Sequence, residues 1–134
     1  MQALGNHIIA EFYQCDKNTM NDTALIEKLM NEAAILSGAT VIGSHFHTFN
    51  PYGVSGVIVI AESHLSIHTW PEYGYAAVDI FTCGDTIDAV KAFTHLKKGF
   101  NAGHTSTVEM KRGQLHDIGF EGELKHKAEF DAVL

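Results

Sequence analysis

The 134-residue sequence predicts an α+β fold: a two-layer α/β sandwich in which a mostly antiparallel sheet carries its helices on one face. Three observations predict it. Two stretches, Thr23–Ser37 and Asp85–Lys98, carry apolar residues at helical spacing, and they lie far apart in the chain. The other patterned stretches are short, rich in β-branched and aromatic residues, and bounded by Gly, Pro or Asn. Two of these, Thr40–Phe49 and Val54–Ile60, flank Asn50-Pro51-Tyr52-Gly53, which reads as the turn of a hairpin. A sheet with helices on one side leaves its other face bare, and sheets paired across a dimer would cover it.

The elements follow in order. His7–Tyr13 (HIIAEFY) reads as the first strand. The first helix has Asn21 or Asp22 to cap it, a face of Leu25, Ile26, Leu29, Met30 and Ala33, and Gly38 just past its end. After the hairpin, Leu65–Thr69 reads as a short strand and Tyr75–Thr82 as another. Asp85 or Thr86 is expected to cap the second helix, which runs to about Lys98. Ile87, Val90, Ala92 or Phe93, and Leu96 would face inward, with Lys97 and Lys98 at its negative end and Gly99 after it. Thr105–Lys111 is the last strand, and the tail from Gly113 is polar and without pattern.

Length and composition narrow the function. A single domain spanning residues 1–134 is expected, 46% hydrophobic and 19% charged, as in globular proteins. Nine Lys+Arg against 16 Asp+Glu argue against nucleic acid or an anionic membrane as the partner. The opening MQALGNHIIAEF lacks the cationic and apolar regions of a signal peptide. Residues 33–61 carry no Asp, Glu, Lys or Arg, but glycines, His45, His47, Asn50 and Pro51 break them, so no membrane span is expected. Two cysteines, Cys15 and Cys83, make no disulfide framework, and a cytoplasmic protein is expected. From Leu29 to Val90 there is neither Lys nor Arg. That argues against a lysine Schiff base with pyridoxal phosphate and against a phosphate cradle; such a site suits a cationic substrate.

The chemistry gathers at AESHLSIHTWPE, Ala61–Glu72, which follows the apolar run GVIVI. A serine hydroxyl can attack the carbonyl before it when the backbone is strained and a base is near. At Glu62-Ser63 this N→O shift turns the amide into an ester. Removal of the Ser63 α-proton then eliminates Glu62 as a new carboxylate, and hydrolysis leaves a pyruvoyl group at residue 63. Such a sequence needs a nucleophile, an oxyanion donor and a base, and Ser63, Ser55 and His68 can fill these roles. A regular strand puts Ser63 and His68 on opposite faces, so a turn or bulge between them is required; His64 is otherwise nearer. Read singly, each residue has a plain structural use: Ser63 in a turn, Cys83 as a small hydrophobe, His68 and Phe49 in packing, Glu72 in solvent, Ser55 at a close backbone contact. Nine histidines raise a metal site, with His45 and His47 on one strand face and His64 and His68 at i,i+4. The latter spacing pairs ligands only on a helix, and Trp70-Pro71 argues against one, so no metal is expected.

ESHLSIHTWPEYGYAAVDIFTCG, Glu62–Gly84, closely resembles the signature region of the prokaryotic pyruvoyl-dependent S-adenosylmethionine decarboxylases. LGNHIIAEFYQCD, FNPYGVSGV and AFTHLKKGF extend the resemblance to about Arg112. It implies self-cleavage at Glu62–Ser63 into a β chain, 1–62, and an α chain, 63–134, in a homodimer of αβ units. It also implies Ser55 and His68 as processing residues and Cys83 as proton donor. Glu72 would bind the ribose, His68 would lie at the substrate, and Phe49 of the partner subunit would stack near the adenine. The pyruvoyl cofactor would form a Schiff base with S-adenosylmethionine and release CO2, yielding the aminopropyl donor for spermidine. A thiol of pKa about 8.5 is mostly protonated at neutral pH, which suits a donor, and aromatic faces would hold the sulfonium. The alternatives are an arginine decarboxylase on the same scaffold and an unprocessed, non-enzymatic binding module.

Overall fold

The computed structural model describes residues 3–119, and the end of the polar tail, 120–134, lies outside the described residues. Six strands form one sheet: β1 (Ala3–Tyr13), β2 (Val41–Thr48), β3 (Val54–Ile60), β4 (Ser63–Trp70), β5 (Tyr75–Cys83) and β6 (His104–Gln114). Their order is β2-β3-β4-β5-β1-β6, and every neighbouring pair is antiparallel. The helices are α1 (Lys17–Met20), α2 (Thr23–Leu36) and α3 (Ala89–Gly99), with short 3-10 turns at Pro71–Tyr73 and Leu115–Ile118.

Alternation along the strands separates two faces. Ile8, Ala10 and Phe12 of β1, Ile58 and Ile60 of β3, Leu65 and Ile67 of β4, and Val78 and Ile80 of β5 are buried in one core. The same core takes in Ile26, Leu29, Met30, Ala33, Ala92 and Leu96 of α2 and α3, so the helices cover this face. Phe12 is its centre, stacked on Phe93 at 5.2 Å and edge-on to Phe100 at 5.3 Å. Burying each such side chain contributes about 1.5–3 kcal/mol. The opposite face is left open, and Ile9, Val59, Trp70, Val108 and Met110 stand exposed there. This is the expected α+β sandwich.

Several boundaries differ from expectation. The cap of α2 does not: Asp22, one of the two expected residues, accepts from Leu25 N at 3.1 Å. The cap of α3 is Asp88, not Asp85 or Thr86. The Asp88 N–H donates to Ser37 O at the end of α2, which holds the chain extended until Asp88 can accept from Val90 N and Lys91 N. The helix therefore starts late; Ile87 precedes it and Val90, expected inward, is 65% exposed. The last strand runs on to Gln114, and Leu115 is buried just beyond it. The short α1 was not foreseen; Asp16 caps it through Thr19 N.

Gly56, directly opposite Phe46, shows how tightly the hairpin is built. A Cβ there would overlap the Phe46 ring. Gly56→Ala is therefore expected to cost about 1–3 kcal/mol through overpacking, read as a lower urea midpoint with an unchanged slope; unaltered stability would show that the ring moves aside freely.

Candidate active site

Ile60 and Ser63 close the β3–β4 hairpin around a two-residue turn, Ala61-Glu62. The Ala61 N–H donates to Thr40 O at 3.1 Å and ties the turn to the start of β2. Glu62 has φ 65°, a left-handed conformation that suits glycine. For another residue it costs about 1–2 kcal/mol. The strain therefore sits on the residue whose carbonyl precedes Ser63. The Cys83 thiol, from the end of β5, donates to that carbonyl oxygen at 3.3 Å. Ser63 is itself buried, and its hydroxyl has no hydrogen-bond partner; nor has Oε1 of Glu62.

Ser55 and His68 are directly paired across β3 and β4, with Oγ and Nδ1 2.7 Å apart. They do not meet Ser63. The register from Ser55↔His68 to Ile60↔Ser63 runs without a shift, so the turn or bulge that joining Ser63 and His68 in one chain required is absent. Five residues of regular strand separate the two by about 17 Å and leave them on opposite faces. Phe49 and Glu72 go with His68: both are exposed, Phe49 just past the end of β2 with its ring edge-on to His47 at 4.7 Å, and Glu72 in the 3-10 turn that follows β4. One sheet thus holds two half-sites, Glu62-Ser63-Cys83 at one end and Phe49, Ser55, His68 and Glu72 at the other.

Between the half-sites lie groups the sequence reading passed over. His7 Nε2 sits 3.0 Å from Asp79 Oδ1, and the Ser66 hydroxyl donates to Asp79 Oδ2 at 3.2 Å. Arg112 Nη1 lies 3.2 Å from His7 Nδ1, with the guanidinium 5.6 Å from the Phe81 ring centre. Arginine only donates, so Nδ1 accepts and Nε2 carries the hydrogen given to Asp79. A carboxylate inside the apolar run YAAVDIFT was the available signal. Beside His68, Trp70 stacks on Tyr75 at 5.2 Å and Tyr13 on Tyr75 at 5.3 Å. The Tyr75 hydroxyl donates to both Glu11 oxygens, and burial together with Glu11 holds that phenol well above its usual range. These ring faces offer what a sulfonium needs.

Cys15, the other free thiol, is packed in the core, and burial pushes it up to about 11, so it stays protonated and inert. Among the described residues no group of three or more His, Cys, Asp or Glu is placed to hold a metal ion.

A family model described as S-adenosylmethionine decarboxylase matches residues 6–113. The chain is 56% identical over 128 residues to the S-adenosylmethionine decarboxylase proenzyme of Thermotoga maritima, covering 96% of this chain and 98% of that one. It is 54% identical over 119 residues to the proenzyme of the same description from Acidithiobacillus ferrooxidans, covering 89% and 90%. The crystal structure of the adenosylmethionine decarboxylase from Aquifex aeolicus superposes with a TM-score of 0.82 at 35% identity, over 92% of this chain and 98% of that one. A Trypanosoma brucei AdoMetDC monomer shares the fold alone, with a TM-score of 0.60 at 17% identity, and this chain spans 45% of its length.

Proposed function

The chain belongs to the S-adenosylmethionine decarboxylase family, and from that premise we propose how its two half-sites make and use a pyruvoyl group. It is a carboxy-lyase made as a proenzyme, and its product serves polyamine synthesis as an aminopropyl donor. The relatives give no support to an arginine decarboxylase or to a non-enzymatic module. The observation that carries the reading is the Cys83 thiol on the carbonyl of a left-handed Glu62, ahead of a buried, unpartnered Ser63. These residues fit the source of a pyruvoyl group: a nucleophile poised beside a strained amide, with a donor on the oxygen that takes up charge.

Cleavage divides the chain into residues 1–62 and 63–134. The Cys83 hydrogen bond stabilises the tetrahedral oxyanion on Glu62. His68 then removes the Ser63 α-proton, with Ser55 orienting its ring. Because they stand about 17 Å apart in one chain, these groups are completed by a second copy. A two-fold axis running across the strands lays the Ser63 end of one open face over the His68 end of the other, twice per dimer. It also buries the exposed Ile9, Val59, Val108 and Met110. The homodimer of αβ units is therefore part of the site.

When formed, the pyruvoyl group supplies the electron sink for decarboxylation. The protein's own residues do the rest. Phe49 of the partner subunit packs on the adenine, Glu72 accepts the ribose hydroxyls, and aromatic faces hold the sulfonium. Cys83 returns a proton to the α-carbon. No helix among the described residues is long and apolar enough to cross a membrane; with two free thiols, we place the enzyme in the reducing cytoplasm.

Intact mass of purified protein beside a Ser63→Ala control tests this. Two chains breaking at 62/63, and CO2 released from carboxyl-labelled S-adenosylmethionine but not from arginine, are expected. A single full-length chain equal in behaviour to the control would overturn self-cleavage.

A further inference from the structure

The self-cleavage proposed above leaves open which group takes the Ser63 hydroxyl proton in the first step. Ser63 Oγ is covered by its own chain, with under 1 Å² accessible in a single copy. A side chain arriving from a partner therefore cannot reach it without rearrangement, and His68 of the same chain is about 17 Å away. Cys83 is already committed as a donor, its thiol on the Glu62 carbonyl. The acceptor therefore comes from the same chain and is itself buried.

Among the described residues, two buried side-chain polar atoms lack a hydrogen-bond partner: Ser63 Oγ and Glu62 Oε1. They belong to the two residues that flank the scissile bond. A buried polar atom without a partner is costly and calls for an explanation. Chance placement of both on one dipeptide is a poor one. A hydroxyl that must lose a proton, in the residue that follows one whose carboxylate oxygen has nothing to accept, explains both. The two are not hydrogen-bonded in the resting chain, as is common before a reacting geometry is reached.

We propose that the Glu62 carboxylate is the base of the first processing step. As Ser63 Oγ bonds to the Glu62 carbonyl carbon, its proton passes to the Glu62 side chain. As the C–N bond breaks, the same proton passes to the Ser63 nitrogen, which leaves as the free amine of the ester. The carboxylate ends as it began, and no outside reactant is consumed. His68 then acts only in the second step, on the α-proton. The residue that ends the β chain is thus a participant in its own release from Ser63.

The test measures the cleavage half-time of freshly translated full-length chain by intact mass between pH 5 and 9. Glu62→Gln keeps shape and removes the base. It is expected to slow cleavage about 100-fold at neutral pH. Thermal unfolding matched to that of Ser63→Ala checks that it folds. A second arm uses the His68→Ala background, in which the ester is expected to build up and hydroxylamine to cut the chain at 62/63; adding Glu62→Gln is expected to abolish that cut. Glu62→Gln cleaving at the wild-type rate, or a hydroxylamine cut that survives Glu62→Gln in the His68→Ala background, would overturn the proposal. A wild type that never breaks at 62/63 would instead overturn the self-cleavage on which it rests.

Discussion

Co-expressing the Ser63→Ala chain with the His68→Ala chain is expected to restore cleavage that neither shows alone. Ser63→Ala has no nucleophile. His68→Ala keeps the nucleophile but faces a partner that also lacks the base. In a mixed dimer the intact Ser63 of one chain meets the intact His68 of the other, so one chain of each mixed dimer is cut. That chain is always the His68→Ala chain, which differently sized tags identify by mass. The expectation follows from an unshifted β3–β4 register, which keeps Ser63 and His68 at opposite ends and faces of one strand. Mixed dimers that stay uncut, with both chains folded, would show that the whole site lies in one copy.

Cys83→Ala is expected to damage both stages. Its thiol donates to the Glu62 carbonyl before cleavage, and loss of one such donor slows acyl chemistry by about 100- to 1,000-fold. In the cleaved fraction the same change removes the proposed proton donor, and turnover per cleaved chain should fall by about 100- to 10,000-fold. Stability should change little, because the side chain is only partly buried. Cys83→Ser keeps a donor at the carbonyl and should cleave faster than Cys83→Ala. Normal turnover per cleaved Cys83→Ala chain would remove Cys83 from the proton-transfer role.

The two predictions separate functions that the sequence lists side by side. Ser63 and Cys83 belong to one half-site, and Ser55 and His68 to the other, although Ser55 and Ser63 are closer in sequence than Ser63 and Cys83. The antiparallel order explains this: β5 returns beside β4 and brings Cys83 back to the turn, whereas β3 brings Ser55 to the far end of β4.

The sequence by itself determined the fold class, because helical and strand periods are local and the core face of each element is written in its apolar spacing. Ile26, Leu29, Met30 and Ala33 of α2 and the whole of β3 stand where the pattern put them. It also pointed to the candidate chemistry: the residue types allow Ser63, Ser55 and His68 as nucleophile, oxyanion donor and base, and the family resemblance adds Cys83. Only the tertiary structure decided who meets whom. The α3 cap fell to Asp88 because Ser37, at the end of α2 and remote in sequence, holds its N–H. The strain on Glu62 arises from closing β3 onto β4 in two residues, and the Arg112–His7–Asp79 chain arises from pairing β6 beside β1. Long-range pairing sets such contacts, and no window of sequence contains both partners. The separation of the two half-sites along β4 is of the same kind: spacing exposes the conflict between Ser63 and His68, and the unbroken strand leaves them apart in one copy, which the proposed dimer answers.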